Sequence, residues 1–290
     1  MSLKWKIVGG SLLLVVLLIV GAFVFLDDIA KRVVEVGGAS AMGVPVSLEK
    51  ISLRPLRGEG DLAGLKVSNP EGFETPHFMK LAEGHSAVDT GSVFSDTIVV
   101  KSIRLEGLEV YLEAKDEGSN YEVILENMKK SEEAAPPPGE GGKEEGEAGP
   151  GKKFRADEIV VRDINVHADV AVRGKKLSRV DLRIPEIRLE NVGSESGGSA
   201  VTSQVMGTIV KAVLRAVLEQ GARVLPEVMV RGLGHGLKGV GKVTFKVVGK
   251  VTGTVGGKAI EVVGEAGKAV AKKIGGLFGG DDEEEKEEDK

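Results

Sequence analysis

The stretch Ile103-Arg104-Leu105-Glu106-Gly107-Leu108-Glu109-Val110 decides the fold. Its apolar residues alternate in steps of two, break step at Gly107, and resume on the other parity. The same design returns as Ile159-Val160-Val161-Arg162-Asp163-Ile164-Asn165-Val166, as the truncated Ile187-Leu189-Asn191-Val192, and more loosely as Leu62-Gly64-Leu65-Val67. Alternation of period two marks a strand with one buried face. A slip of one residue carries the following side chains to the other face unless the backbone absorbs it. Gly, Asp and Asn tolerate a left-handed backbone, so each slip predicts a β-bulge that takes up an extra residue, or a tight corner. Repeated corners predict a curved, mainly antiparallel sheet.

Strand character extends from Val44 to about Leu112 and resumes from Phe154 to about Val192. Before the first run, Ile29, Val33, Val34 and Val36 form a short helical face ended by Gly37 and Gly38. After it, "GSNYEVILENMKK" reads as a helix capped by Ser119 or Asn120, with Ile124, Leu125 and Met128 on one side. Residues 130–153 contain Pro, Gly and Glu without a large apolar side chain, which predicts a disordered insert. A helix over 199–226 carries an apolar run from Ala200 to Leu225 and stops before Pro226.

The connector "NPEGFETPHFMKL", Asn69 to Leu81, is unusual in a chain that is only 4% aromatic. Pro70 and Pro76 fix φ and remove backbone donors, so the segment can leave a sheet edge without inviting another strand. Phe73 and Phe78 have two possible uses: plugs on a thin aliphatic core, or the lining of the mouth of an apolar groove.

Ile7 to Leu26 is free of charge over about 20 residues, roughly 30 Å as a helix, which predicts a membrane anchor over residues 1–28. Lys4 and Lys6 precede it and Asp27 and Asp28 follow, which places the N-terminus in the cytoplasm and the body beyond the membrane. A cleaved signal peptide is the rival, but its apolar region is shorter, about 7–15 residues.

The order of "GVPVSLEKISL", "GLKVSNPEGFETPHFMKL", "VFSDTIVVKSIRLEGLEVYLE" and "GSNYEVILENM" resembles the N-terminal portion of the AsmA-like family of bacterial envelope proteins, over about residues 29–129. "FRADEIVVRDINVHADV" is a weaker echo of it. The resemblance implies an inner-membrane anchor, a periplasmic body rich in β structure, and a role in phospholipid transport or envelope integrity. It supplies no catalytic motif. The larger relatives form long groove-like assemblies, whereas this chain has room for a short sheet.

From Leu233 onward, Leu237, Val240, Val247, Val251, Val255 and Val262 recur at steps built of three and four, and Lys238, Lys242, Lys246 and Lys250 at steps of four. Helical geometry puts the two sets on different faces, giving a basic amphipathic helix that suits anionic lipid. Packing on the preceding helix and disorder are the alternatives, and Val243–Val247 also alternates as a strand would. Glycine disfavours the helix by about 1 kcal/mol per position. The tail over 281–290 is acidic and expected to be solvated.

The absence of cysteine excludes thiolate chemistry and disulfides. His77, His85, His167 and His235 have no metal-ligand spacing, and no GxSxG or GxxxxGK[ST] sequence occurs. Gly234-His235-Gly236-Leu237-Lys238-Gly239 matches GxGxxG but lacks a preceding strand and a downstream acidic residue. The basic segment lacks interleaved aromatics for nucleic acid. No catalytic, cofactor or metal residues are expected.

The expected fold class is α+β: a transmembrane helix, a curved antiparallel sheet with flanking helices, and a C-terminal amphipathic helix. The units are the anchor over 1–28, β-rich halves over 29–129 and 154–193 around the insert, the helix over 199–226, a Gly/Lys/Val segment over 227–280 and the tail. The expected function is non-enzymatic phospholipid binding or transport. The alternative is an anchored scaffold that recruits another envelope protein. The oligomeric state is left open.

Overall fold

The computed structural model describes residues 25–134, 153–172, 175–194, 199–238, 244–255 and 258–262. Nearly all of the expected anchor, most of the expected insert and the acidic tail lie outside the described residues. No helix among the described residues is long and apolar enough to cross a membrane.

The first helix, α1, covers 25–42. Strands β1 (Val46–Arg54), β2 (Glu59–Ser68), β3 (His77–Val88) and β4 (Thr97–Lys115) follow as an antiparallel meander. The short β5 (Gly118–Ser119) leads into α2 (Asn120–Ala134). Two long strands, β6 (Lys153–Val172) and β7 (Lys175–Ser194), form a hairpin, and β6 lies parallel to β4. Helices α3 (Ser199–Gly221) and α4 (Glu227–Lys238) precede β8 (Lys246–Val248), β9 (Val251–Val255) and β10 (Lys258–Val262). The result is one α+β sheet of order β1-β2-β3-β4-β6-β7-β9-β10, with β5 on β4 and β8 on β7. It is mostly antiparallel but mixed, because α2 carries the chain across so that β6 can run alongside β4.

The predicted slip positions all have a left-handed backbone: Gly64 at φ 66°, Gly107 at 72°, Asp163 at 49° and Asn191 at 53°. No extra residue is inserted at any of them, so they are corners rather than bulges. Leu48 pairs with Leu65 and Lys50 with Ala63, on one unbroken register around the unpaired Glu49 and Gly64. The same gap continues through Ala82, Gly107, Asp163 and Pro185. All six strands therefore change face along one line.

On one side of that line Leu48, Leu65, Leu81, Leu108, Ile164 and Ile184 form a single buried row of cross-strand neighbours. On the other side the inward row is Ile51, Leu62, Gly84, Leu105, Val161 and Ile187. The line also explains a proline in a central strand: Pro185 stands where the ladder is already interrupted, and its missing N–H removes no bond.

Helices α2, α3 and α4 cover the apolar face, with Ile124, Leu125 and Met128 of α2 and Val210, Val213, Leu214 and Val217 of α3 buried. Ser119 caps α2, its Oγ accepting from the Glu122 N–H at 3.3 Å and donating to the Glu122 carboxylate at 2.6 Å. Helix α1 lies along the free edge of β1. Its Asp27 accepts from the Leu53 N–H at 2.8 Å and its Glu35 from the Leu48 N–H at 3.0 Å. Those two outward amides would otherwise be open to a further strand.

Three expectations need correction. Helix α1 does not end at Gly37 and Gly38 but runs on to residue 42, where Gly43 at φ 66° terminates it. The glycine pair serves a close crossing: a Cβ on Gly38 would lie 2.7 Å from the Met206 sulfur, and Ser203 donates to the Gly37 carbonyl at 2.9 Å. Residues 130–134 belong to α2 and Lys153 to β6, so the insert is shorter than its composition suggested. The sheet is mainly antiparallel, as expected, with one parallel pair at its centre. The C-terminal amphipathic helix is not formed among the described residues: α4 stops at Lys238, and Val247, Val251 and Val255 lie in strands. Valine and threonine favour a pleated surface, glycine weakens a helix, and Gly249 at φ 96° makes the turn between β8 and β9.

Gly107→Val is expected to lower stability by about 2 kcal/mol, since a β-branched residue resists the left-handed backbone and its Cβ meets that of Ala82 at 2.9 Å. Asp163→Gly should change stability by under about 1 kcal/mol, losing only an exposed pair with Arg183. Urea denaturation of both variants tests the pair of values.

Candidate functional site

The proline-rich connector is held by a buried carboxylate. Glu113 of β4 accepts from the backbone N–H groups of Glu74 at 2.8 Å and Thr75 at 2.7 Å, from the Thr75 hydroxyl, and from Asn69 Nδ2 at 3.2 Å. Asn120, fully buried at the start of α2, joins the same network, donating to Asn69 Oδ1 at 3.0 Å and accepting from the Glu113 N–H at 2.9 Å. A buried charge is tolerable here because donors surround it. Phe78 is fully buried in the core. Phe73 is half-buried, with the Lys115 ammonium 5.4 Å from its ring centre.

The inner face of β1 to β4 is not fully covered. Between it and helices α1 and α3 lies a hollow of about 370 Å³. Val34 of α1 and Met206 and Ile209 of α3 form one wall, and Ile51, Leu62 and Ile103 of the sheet the other. The lining is chiefly aliphatic together with Phe154, and Asp61, His85 and Ser86 also border it. Gly60 and Gly84 lie at inward positions of the floor, where neighbours close over them: a Cβ on Gly60 would lie 3.0 Å from a Leu53 methyl and one on Gly84 2.9 Å from the Leu62 side chain. The volume falls within the range of small-molecule pockets. Neither Phe73 nor Phe78 lines it. Glycines at inward positions of Val- and Leu-rich strands were the available sign of this hollow, but the slip in alternation hid which positions point inward.

The opposite face of the same strands is polar. A shallow depression of about 430 Å³ there is lined by Arg54, Asp61, His85 and Arg104 among others. His85 Nδ1 lies 2.7 Å from the Asp61 carboxylate and Arg54 2.8 Å from its other oxygen. Hydrogen bonding from His85 first, and then the Arg54 charge, hold Asp61 below the usual carboxylate range. Further along that face Tyr111 stacks on His167, which contacts Asp181 at 2.7 Å. Cross-strand ion pairs such as Arg179–Asp169 and Arg183–Asp163 continue the pattern. No group of acidic and histidine side chains among the described residues is arranged to hold a metal ion.

The four lysines read from the sequence do not share one helix. Lys238 closes α4, Lys246 opens β8, Lys250 stands between β8 and β9, and Lys242 lies outside the described residues. The GxGxxG match falls largely within α4, with Gly239 outside the described residues; Gly234 faces open space, and Gly236 has a packing role. A Cβ on Gly236 would lie 2.6 Å from a Leu125 methyl, and one on the nearby Gly232 2.9 Å from the Tyr121 hydroxyl. That close contact buries Tyr121, and burial pushes its phenol up to about 12. No protein-family model and no curated protein matches this chain.

Phe78→Ala should destabilise the fold by about 3–5 kcal/mol and Phe73→Ala by no more than about 1 kcal/mol. Glu113→Ala is expected to lose about 3 kcal/mol, because it strands buried amide donors. Thermal melts read all three variants, and faster amide exchange at Glu74 and Thr75 would localise the last. His77 has a buried Nδ1 without a partner, and burial first, then the charges of Lys80 and Lys66, hold it below the usual histidine range. The folded chain therefore binds fewer protons than the unfolded one just below about pH 6.5. This stability contribution is in place above that pH and declines as pH falls toward the lowered folded value. Melting curves across that window should show the decline, and His77→Gln should flatten it.

Proposed function

We propose that this chain is a membrane-anchored, periplasmic envelope protein of the AsmA-like type that shelters part of a phospholipid acyl chain, without catalysis. The observation that carries this reading is the aliphatic hollow between the inner sheet face and helices α1 and α3. A largely apolar cavity of this volume, whose polar bordering residues Ser86, Asp61 and His85 are already engaged with the Gly60 carbonyl or with each other, favours a hydrocarbon chain over a polar metabolite. Two sequence features agree: the uncharged run from Ile7 to Leu26 and the resemblance over residues 29–129. Transport between membranes would need further protein, since the hollow accommodates part of one chain and not a continuous path.

The test is native mass spectrometry and lipid extraction of the detergent-purified full chain. A phospholipid retained near one per chain is the expected result. Ile103→Trp, which fills the hollow from the sheet side, should lower retention about ten-fold, equivalent to about 1.4 kcal/mol, while the melting midpoint stays in place. A chain that carries no lipid above a detergent-treated control protein overturns the reading. A stoichiometric envelope protein recovered by crosslinking, with the hollow empty, would assign the chain to the scaffold class instead.

A further inference from the structure

Three exposed apolar side chains lie at one end of the sheet, and each comes from a different element. Leu56, 89% exposed, tips the β1–β2 turn. Phe94, 91% exposed, ends the 3-10 turn Thr90–Phe94 between β3 and β4. Phe25, 60% exposed, is the first described residue of α1. The first two turns touch: the Val88 N–H donates to the Gly58 carbonyl at 2.6 Å, and a Cβ on Gly58 would lie 2.8 Å from a Thr90 methyl. The bond from the Leu53 N–H to Asp27 brings the start of α1 to the same end.

Phe94 stands out from a well-braced segment. Asp89 accepts from the Gly91 N–H at 3.1 Å, and the Ser92 hydroxyl accepts from the Val99 N–H at 2.8 Å. A braced turn that presents a fully exposed phenylalanine has a use for it at an apolar surface.

We propose that this end of the sheet docks on a lipid bilayer, with Leu56, Phe94 and Phe25 entering the boundary between headgroups and acyl chains. The direction of the chain selects a bilayer over a protein. Helix α1 runs beside β1 in the opposite sense, Asp27 beside Leu53 and Glu35 beside Leu48, so the chain reaches this end along the strand axis. There it joins the uncharged run from Ile7 to Leu26. The charged, exposed Arg57 and Asp96 stand next to Leu56 and two residues beyond Phe94 in the same turns, and apolar points among polar groups match a headgroup layer. Leu53 and Gly60, both near this end, line the hollow, so docking would set the hollow beside the lipid it is proposed to hold. The docking itself does not require the hollow to be filled, and the two tests fail independently.

The experiment uses the full chain in phosphatidylcholine nanodiscs, with Trp5→Phe removing the single native tryptophan. Leu56→Trp and Phe94→Trp are read against Val123→Trp, on α2 beyond the other end of β4. Lipid brominated at shallow acyl positions should quench the first two at least about two-fold and leave the third unchanged, as a shallow interfacial position requires. Equal emission at all three positions overturns the proposal. So does ready disulfide dimerisation of Phe94→Cys, the sole thiol in a chain without cysteine, when Phe94→Trp remains unquenched, since the tips then meet a second copy.

Discussion

One constraint organises the molecule: six strands must change face along the same transverse line. Each strand could in principle place its left-handed residue anywhere, but a buried row survives only if neighbours switch together. The row from Leu48 to Ile184 and the row from Ile51 to Ile187 are continuous because Gly64, Gly107 and Asp163 sit in register with Glu49, Ala82 and Pro185. The helices, the core and the hollow are all built on those two rows.

Polar groups hold what the thin aliphatic core does not. Glu113 and Asn120 anchor a connector that lacks backbone donors at Pro70 and Pro76, and Lys211, buried on α3, pairs with Glu132 on α2. On the outer face, alternate residues carry ion pairs that are mostly exposed, and such pairs add little stability each. Their service is to keep that face wet, so that only one side of the sheet attracts helices.

Much of this was legible in the sequence because it depends on local chemistry. The left-handed positions Gly64, Gly107, Asp163 and Asn191, a cap at Ser119 or Asn120 and the buried side of α2 follow from residue type and spacing. What was not legible depends on distant partners. Glu113 reads as another outward glutamate in an alternating strand until Thr75 and Asn69 fold over it. The lysine spacing of four past Lys238 carried a helical reading, yet Val247 pairs with Ile187, and that partner outweighs the periodicity. The hollow was hidden for the same reason, since its lining comes from five strands and two helices. The site was therefore less legible than the fold.

The parallel pairing of β4 with β6 has a consequence during synthesis. Strands β1 to β4 form a meander of sequential neighbours, but the second side of β4 must wait for a partner roughly 40 residues further on, which a ribosome adds in about 2–8 s. Over that interval a 19-residue margin with half its amides unsatisfied is present in the nascent chain. Until β6 arrives, that margin is a template on which another chain could pair.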